Sequence, residues 1–237
     1  MSEVEKIEKY APIDTIRTVT TYTVPVAAAR YTAVPYDKKK SGKRGTFSIF
    51  GGAAIPTGDF DDKNNGCAKT GFCAGLQYVS RGQIGFLINL SVIANPTNLG
   101  ITSVSTYNAG GTSDSWITIP LMCGLKIGTT NANGINLFFA PLIGFCISAS
   151  PEIRLDISQT GYNNSYTEAI MESGIACAVA YGAELEINLD MVNIGACYIA
   201  SKPKFKSQVS ISSYSSNYDT EFQQSIWILQ LYLGIPF

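Results

Sequence analysis

The sequence predicts an all-β fold, an eight-stranded antiparallel up-and-down transmembrane β-barrel with an N-terminal extension. The first observation behind this prediction is alternation of side-chain character along the strand-like segments. It is clearest in the last segment, where every second residue is apolar and no charge interrupts the run: Trp227, Leu229, Leu231, Leu233, Ile235 and Phe237. A strand with one continuous apolar face is typical of the lipid-facing wall of a membrane barrel.

Composition is the second observation. Charged residues make up 15% of the chain, against about 25% in typical soluble domains. The mean hydropathy is +0.12, which is too polar for a bundle of membrane helices. The longest dense apolar run, residues 137–147, is too short for a membrane-spanning helix, which needs about 20 apolar residues. A barrel that alternates apolar and polar residues has this intermediate average.

Eight segments are strand candidates because they are rich in β-formers and alternate with a period of two residues. In the third, Ile84, Phe86 and Ile88 share a face that is apolar along the whole segment. The predicted strands are 45–55, 68–80, 82–95, 115–128, 134–149, 168–187, 190–201 and 224–237.

The two faces of these strands indicate which side meets lipid. One face is bulky and aliphatic, whereas the other is rich in Gly and Ala with a few amides and charges. An eight-stranded barrel has room inside only for side chains, so the small and polar face belongs inside. We therefore expect four large residues to face lipid: Ile88, Leu121, Val179 and Leu233. Phe50, Leu87, Met122, Phe138, Leu142 and Tyr232 have inward parity, which predicts a plugged bore.

The third observation is that short and long connections alternate. The short ones fall at residues 81, 130–133 and 188–189, and the long ones at 56–67, 96–114, 150–167 and 202–223. Periplasmic turns are short and extracellular loops are long in bacterial barrels. With an even number of strands, the first strand begins and the last strand ends on the side of the short turns. We therefore expect residues 1–43 to form a periplasmic extension and residues 44–237 to form the barrel.

Candidate chemistry is sparse. The chain has no His, which excludes the Ser-His and Asp-His mechanisms of most hydrolases, so we expect no enzyme activity. Glu172, Glu184 and Glu186 share inward parity, and near Lys126 or Lys69 they predict a polar cluster in the lumen. This cluster suits either an internal gate or proton relay, or a salt-bridged plug, and the plug is the preferred interpretation.

Metals, cofactors and nucleic acid are not expected partners. The six cysteines form no CxxC pair, and the acidic loop at residues 59–66 fails the calcium-loop pattern. Net charge is −1, which gives no electrostatic case for nucleic acid. Lys202, Lys204 and Lys206 alternate in the last long loop, and they either contact lipopolysaccharide phosphates or extend a strand edge above the membrane.

Four motifs resemble those of the small bacterial outer-membrane β-barrel proteins, the eight-stranded OmpA-, OmpX- and PorT-like barrels. They are the glycine-rich strand and Pro-x-Gly-Asp-Phe loop at 51–60, the Ile-Pro-Leu motif within 116–121, the Gly-x-Gly-x-Glu strand within 174–186, and the terminal Phe237. The resemblance spans about residues 45–237. It implies location in the outer membrane of a Gram-negative bacterium, contact with outer-membrane lipid, and recognition of Phe237 by the barrel-assembly machinery.

Residues 1–25 lack the apolar core of a signal peptide, so we expect a processed or truncated form of an exported protein. Three functions remain open. The first, which we prefer, is a non-enzymatic barrel with a structural or interaction role, whose loops meet the outside and whose residues 1–43 meet a periplasmic partner. The second is a small pore or carrier. The third is a soluble lipocalin-like binding barrel.

Overall fold

The computed structural model describes residues 45–63, 65–99, 107–129, 135–159, 166–189, 191–212 and 216–237. All of them belong to one compact unit. The predicted extension at 1–43 and the predicted turn at 130–133 lie outside the described residues. Among the described residues, no helix is long and apolar enough to cross a membrane.

The described part of the chain contains thirteen strands, with a 3-10 turn at Gly58–Phe60. They are β1 (Gly45–Pro56), β2 (Gly71–Ser80), β3 (Ile84–Pro96), β4 (Tyr107–Ser113), β5 (Ser115–Gly128), β6 (Ile135–Ala149), β7 (Ile153–Gln159), β8 (Tyr166–Met171), β9 (Ile175–Leu189), β10 (Asn193–Ser201), β11 (Lys204–Ile211), β12 (Ser216–Gln223) and β13 (Ile226–Pro236).

Eight of these strands form a closed barrel in the order β1-β13-β10-β9-β6-β5-β3-β2. Every pair is antiparallel and joins barrel strands that follow one another in the chain, except that β13 closes the ring on β1. In the closing pair Phe50 lies opposite Gly234 and Ala54 opposite Gln230. The predicted eight-stranded up-and-down barrel is therefore confirmed.

The exterior of the barrel is aliphatic. The four residues expected to face lipid, Ile88, Leu121, Val179 and Leu233, are 42–60% exposed. An exposed apolar surface of this extent is typical of the outer wall of membrane barrels. Aromatic rings gather at the end where β1 begins, with ring centroids 4.8 Å apart for Phe47 and Tyr78 and 6.2 Å apart for Phe47 and Phe237. Girdles of aromatic residues are typical of the two ends of the apolar band in membrane barrels.

The interior of the barrel is filled with side chains. All six large residues with inward parity, Phe50, Leu87, Met122, Phe138, Leu142 and Tyr232, are buried. The rings of Phe50 and Tyr232 lie 4.7 Å apart between centroids. Buried Ser, Asn and Gln side chains share the bore with them.

Three of the four long connections are not loops throughout, which corrects the predicted loops at 96–114, 150–167 and 202–223. They contain β4, β7, β8, β11 and β12, which form a second sheet in the order β12-β11-β8-β7-β4; we call these five strands the distal sheet. Short polar strands such as β4, with the sequence YNAGGTS, do not show the apolar alternation that identifies strands. In the connection at 56–67, the element seen among the described residues is the 3-10 turn.

The distal sheet continues the barrel strands after short breaks. Backbone hydrogen bonds span these breaks, from Asp114 to Glu152 at 3.1 Å and from Ser150 to Gly174 at 2.8 Å. The break at residues 172–174 also corrects the predicted sixth strand, because β8 and β9 are separate elements there. Five barrel strands thus extend into the distal sheet, at the end opposite the turns that join β2 to β3 and β9 to β10.

Candidate functional site

The lumen holds a buried polar cluster, which we call the carboxylate cluster, made of Gln77, Asn89, Glu184, Glu186 and Tyr232. Glu184 and Glu186 are two residues apart on β9, so both point inward. Gln77 and Asn89 lie directly opposite each other in the β2–β3 ladder. All five side chains are at least 97% buried. Side chains from three other barrel strands therefore converge on the two carboxyl groups of β9.

Glu184 is the centre of this cluster. It accepts hydrogen bonds from the Tyr232 hydroxyl at 2.6 Å, from Asn89 Nδ2 at 3.1 Å and from Gln77 Nε2. An ionised carboxylate has about four lone-pair positions, so three donors satisfy most of its capacity. A buried carboxylate is tolerated only with such partners.

Tyr232 connects the two carboxyl groups. Its hydroxyl oxygen lies 2.6 Å from Glu184 Oε1 and 2.9 Å from Glu186 Oε2. A phenol has a single proton, so both contacts are full hydrogen bonds only when one carboxyl group also carries a proton. The Tyr232 ring has space because Gly195 is directly opposite in the β10–β13 ladder. A Cβ at position 195 would overlap the Tyr232 ring.

Lys126 is in the lumen but does not form an ion pair with these carboxyl groups. Its Nζ donates to the Ser80 carbonyl at 2.9 Å and lies 5.6 Å from the centre of the Phe138 ring. The ion pairs seen among the described residues lie on partly or fully exposed side chains, such as Lys69 with Asp61. The carboxyl groups in the lumen are therefore held by neutral hydrogen-bond donors and not by the expected salt bridge to Lys126.

Glu172 is not in the lumen. It is exposed and lies between β8 and β9. Its backbone N–H donates a hydrogen bond to the Gln208 carbonyl at 2.9 Å. The chain changes side between Met171 and Gly174, so the parity shared with Glu184 and Glu186 does not extend to it. Sequence reasoning missed Gln77, Asn89 and Tyr232 as partners, although their inward parity was visible.

A row of aromatic rings packs above the carboxylate cluster, at the distal end of the bore. Centroid distances are 5.5 Å from Phe60 to Trp116, 5.5 Å from Trp116 to Phe205, and 5.2 Å from Phe205 to Phe222. The indole N–H of Trp116 donates to the Gly66 carbonyl at 2.9 Å. We call these four rings the aromatic cap. It fixes the 56–67 connection to the barrel and to the distal sheet.

The distal sheet has an apolar inner face and a charged outer face. Phe205 on β11 is buried, whereas its neighbours Lys204 and Lys206 point outward and pair with Glu221 at 3.0 and 3.3 Å. These two bonds lower the pKa of the Glu221 carboxyl. Residues sharing the Phe205 face are Ile153, Leu155, Ile157, Ala169, Met171, Val209, Ile211 and Phe222. The Lys204–Lys206 alternation is therefore a strand above the barrel.

Several solved structures of bacterial outer-membrane proteins are similar to this chain. One is Ail, the attachment invasion locus protein of Yersinia pestis, with 17% identity, a TM-score of 0.45, and coverage of 82% of this chain and 100% of that one. Another is a major outer membrane protein from Thermus thermophilus, with 11% identity, a TM-score of 0.44, and coverage of 82% and 100%.

OprG from Pseudomonas aeruginosa is similar at 10% identity and a TM-score of 0.44, with coverage of 82% of this chain and 97% of that one. No protein-family model matches the sequence, and no curated protein matches it. The strand order and the sidedness of this chain itself establish the barrel.

Proposed function

We propose that this chain is a non-enzymatic outer-membrane barrel that anchors the distal sheet as an interaction surface outside the cell. One observation carries the proposal: the bore is filled, while five barrel strands continue into a second folded sheet. A filled bore serves as an anchor and not as a conduit. A folded, charged outer face with fixed ion pairs is suited to specific contact.

The aliphatic exterior supports membrane insertion and argues against the soluble lipocalin-like alternative. A soluble barrel buries its large apolar residues inside, whereas Leu121 and Leu233 are on the outside here and Asn89 and Glu184 are on the inside. We extend the proposal to contact with outer-membrane lipid, recognition of Phe237 by the barrel-assembly machinery, and a periplasmic partner for residues 1–43. Lipopolysaccharide phosphates are the proposed contact for Lys202, since Lys204 and Lys206 already pair with Glu221.

A small pore is the second candidate, and one observation favours it. Several buried oxygens in the bore, among them Gln77 Oε1, Asn89 Oδ1, Glu186 Oε1 and Gln230 Oε1, have no hydrogen-bond partner among the protein atoms. Buried polar atoms of this kind normally bond to internal water. Isolated internal waters at such atoms do not by themselves make a continuous path, and large side chains such as Phe50, Met122 and Leu142 are buried in the same bore, so we place the pore second.

Planar-bilayer recording separates these two functions. The full chain is refolded in detergent and inserted, and we expect no resolved single-channel steps. Leu87→Ala with Met122→Ala removes two fully buried fillers and serves as the positive control, which should increase conductance. Steps in the wild type as large as those in the control would reject the plugged-anchor proposal.

Cell-surface presentation tests the interaction role. Protease or biotin-reagent access to Lys206 on intact cells should be high if the distal sheet is outside, and access should require permeabilisation if it is periplasmic. Protection of Lys206 on intact cells would overturn the proposed orientation.

A pull-down with residues 1–43 as bait tests the periplasmic partner.

A further inference from the structure

A cavity of about 180 Å³ lies between the aromatic cap and the inner face of the distal sheet. Trp116 and Phe222 of the cap, Ile153 on β7 and Met171 on β8 line it. The cavity is separate from the carboxylate cluster in the bore. None of its eleven lining residues is Lys, Arg, Asp or Glu.

The residues that line this cavity are held in place by contacts with other residues of the protein. The Trp116 ring is fixed by its bond to the Gly66 carbonyl at 2.9 Å and by edge contacts with Phe60 and Phe205. Ile153 lies directly opposite Met171 in the β7–β8 ladder. Walls that belong to two sheets and a hydrogen-bonded indole do not collapse easily into the partly open space between them.

Several polar groups around the cavity already have partners. Gln224 Nε2 donates to the Ser225 carbonyl at 3.1 Å, and the Cys67 thiol donates to the Lys63 carbonyl at 2.9 Å. The surface left for a guest is mainly aromatic and aliphatic. Such a surface favours an uncharged guest, because a charged one would lose its hydration without gaining a partner.

The size of the cavity limits the guest. An apolar cavity of about 150 Å³ binds benzene, whereas drug-sized ligands occupy about 300–1,000 Å³. We propose that this cavity is a binding site for one uncharged aromatic ring or short alkyl chain, held between Trp116, Ile153, Met171 and Phe222. The inference does not depend on which side of the membrane the distal sheet occupies.

Fluorobenzene is a suitable probe, followed by ¹⁹F NMR with the full chain refolded in detergent micelles. Micelles alone give the non-specific background. Ile153→Phe fills the cavity, and Ile157→Phe is the matched control, since Ile157 is on the same strand face but does not line the cavity. We expect a saturable response in the wild type and in Ile157→Phe, and a loss of affinity of at least about tenfold in Ile153→Phe because the added ring occupies the space.

An equal response in the wild type and in Ile153→Phe, or no saturable response in the wild type, would overturn the proposal. A second measurement needs no variant. Alkylation of Cys67, which lines the cavity, is followed by mass spectrometry with and without fluorobenzene. We expect slower alkylation of Cys67 and an unchanged rate at Cys123 on the barrel exterior; equal effects at both would reject the site.

Discussion

The barrel wall and the distal sheet are built from consecutive stretches of the same chain, but their sidedness is opposite. On the barrel, large aliphatic residues such as Leu121 point outward. On the distal sheet, Phe205 points inward while Lys204 and Lys206 point outward. Alternation alone therefore predicts a strand, whereas the charge on the face opposite the apolar one indicates whether the outside meets lipid or water.

The chain passes from the barrel to the distal sheet at several junctions, and the alternation of buried residues differs between them. Along β10 and β11 the parity is continuous, because Ser201, Phe205 and Ser207 are all buried. Between β6 and β7 the parity shifts, because Ser148 is buried in one and Ile153 lines the cavity in the other. A single extra residue in a strand exchanges its faces, so short breaks suffice to turn the apolar side inward.

Phe205→Ala tests the inner face of the distal sheet and has the largest expected effect. The ring is fully buried between Trp116 and Phe222, so its loss should lower the free energy of unfolding by about 3–5 kcal/mol. Urea unfolding of the refolded protein, monitored by tryptophan fluorescence, measures it. Lys206→Ala, on the opposite face of the same strand, should remain near the wild-type value. Equal losses in the two variants would contradict the inward orientation.

Leu121→Arg tests the barrel exterior and should have the next largest effect. Arg at the centre of a lipid-facing strand costs about 2–4 kcal/mol in a bilayer. Asn217→Arg, on the exposed outer face of the distal sheet, should change the free energy of unfolding by no more than about 0.5 kcal/mol. Unfolding from lipid vesicles gives both values. A tolerated Arg at position 121 would place water, and not lipid, against the barrel wall.

Much of this architecture could be predicted from the sequence because it depends on local alternation. The eight barrel strands, their order and the outward faces of Ile88, Leu121, Val179 and Leu233 follow from parity within each strand. The distal sheet was missed because β4, β7, β8, β11 and β12 have only six to eight residues each. In β4, Gly, Ser and Asn obscure the period, whereas β7 does alternate, with Ile153, Leu155 and Ile157 on one face.

The carboxylate cluster shows where sequence reasoning stops. Its buried members on β9 were predictable, because parity within one strand places Glu184 and Glu186 together. Their donors were not, because Gln77 is 107 residues from Glu184 and Tyr232 is 48 residues from it. Such contacts depend on the register of every barrel strand between them. Glu172 was misplaced for a similar reason, since its break from β9 depends on pairing with β11.

Tyr232→Phe probes the filled bore and should have an intermediate effect. It removes one donor from Glu184 and one contact from Glu186, and an unsatisfied buried polar group costs about 1–3 kcal/mol. Glu186→Gln is the matched control, because its amide N–H can donate to the phenol oxygen and should cost less than about 1 kcal/mol. Urea titrations of both variants measure the difference. A larger loss in Glu186→Gln would show that Glu186 acts only as an ionised acceptor.

The smallest expected effect is the pH response of the outer face of the distal sheet. Hydrogen bonds from Lys204 and Lys206 lower the pKa of the Glu221 carboxyl in the folded protein, so folding favours its ionised form. The stabilisation is therefore complete above the ordinary glutamate pKa, and it is lost as pH falls through the lowered pKa. A carbon-detected NMR titration of Glu221 should give a midpoint below the ordinary value, and Lys204→Gln with Lys206→Gln should return it there. Because these side chains are exposed, added salt should also raise the Glu221 midpoint part of the way toward the ordinary value. An unchanged midpoint in the double variant would show that the two lysines do not lower the Glu221 pKa.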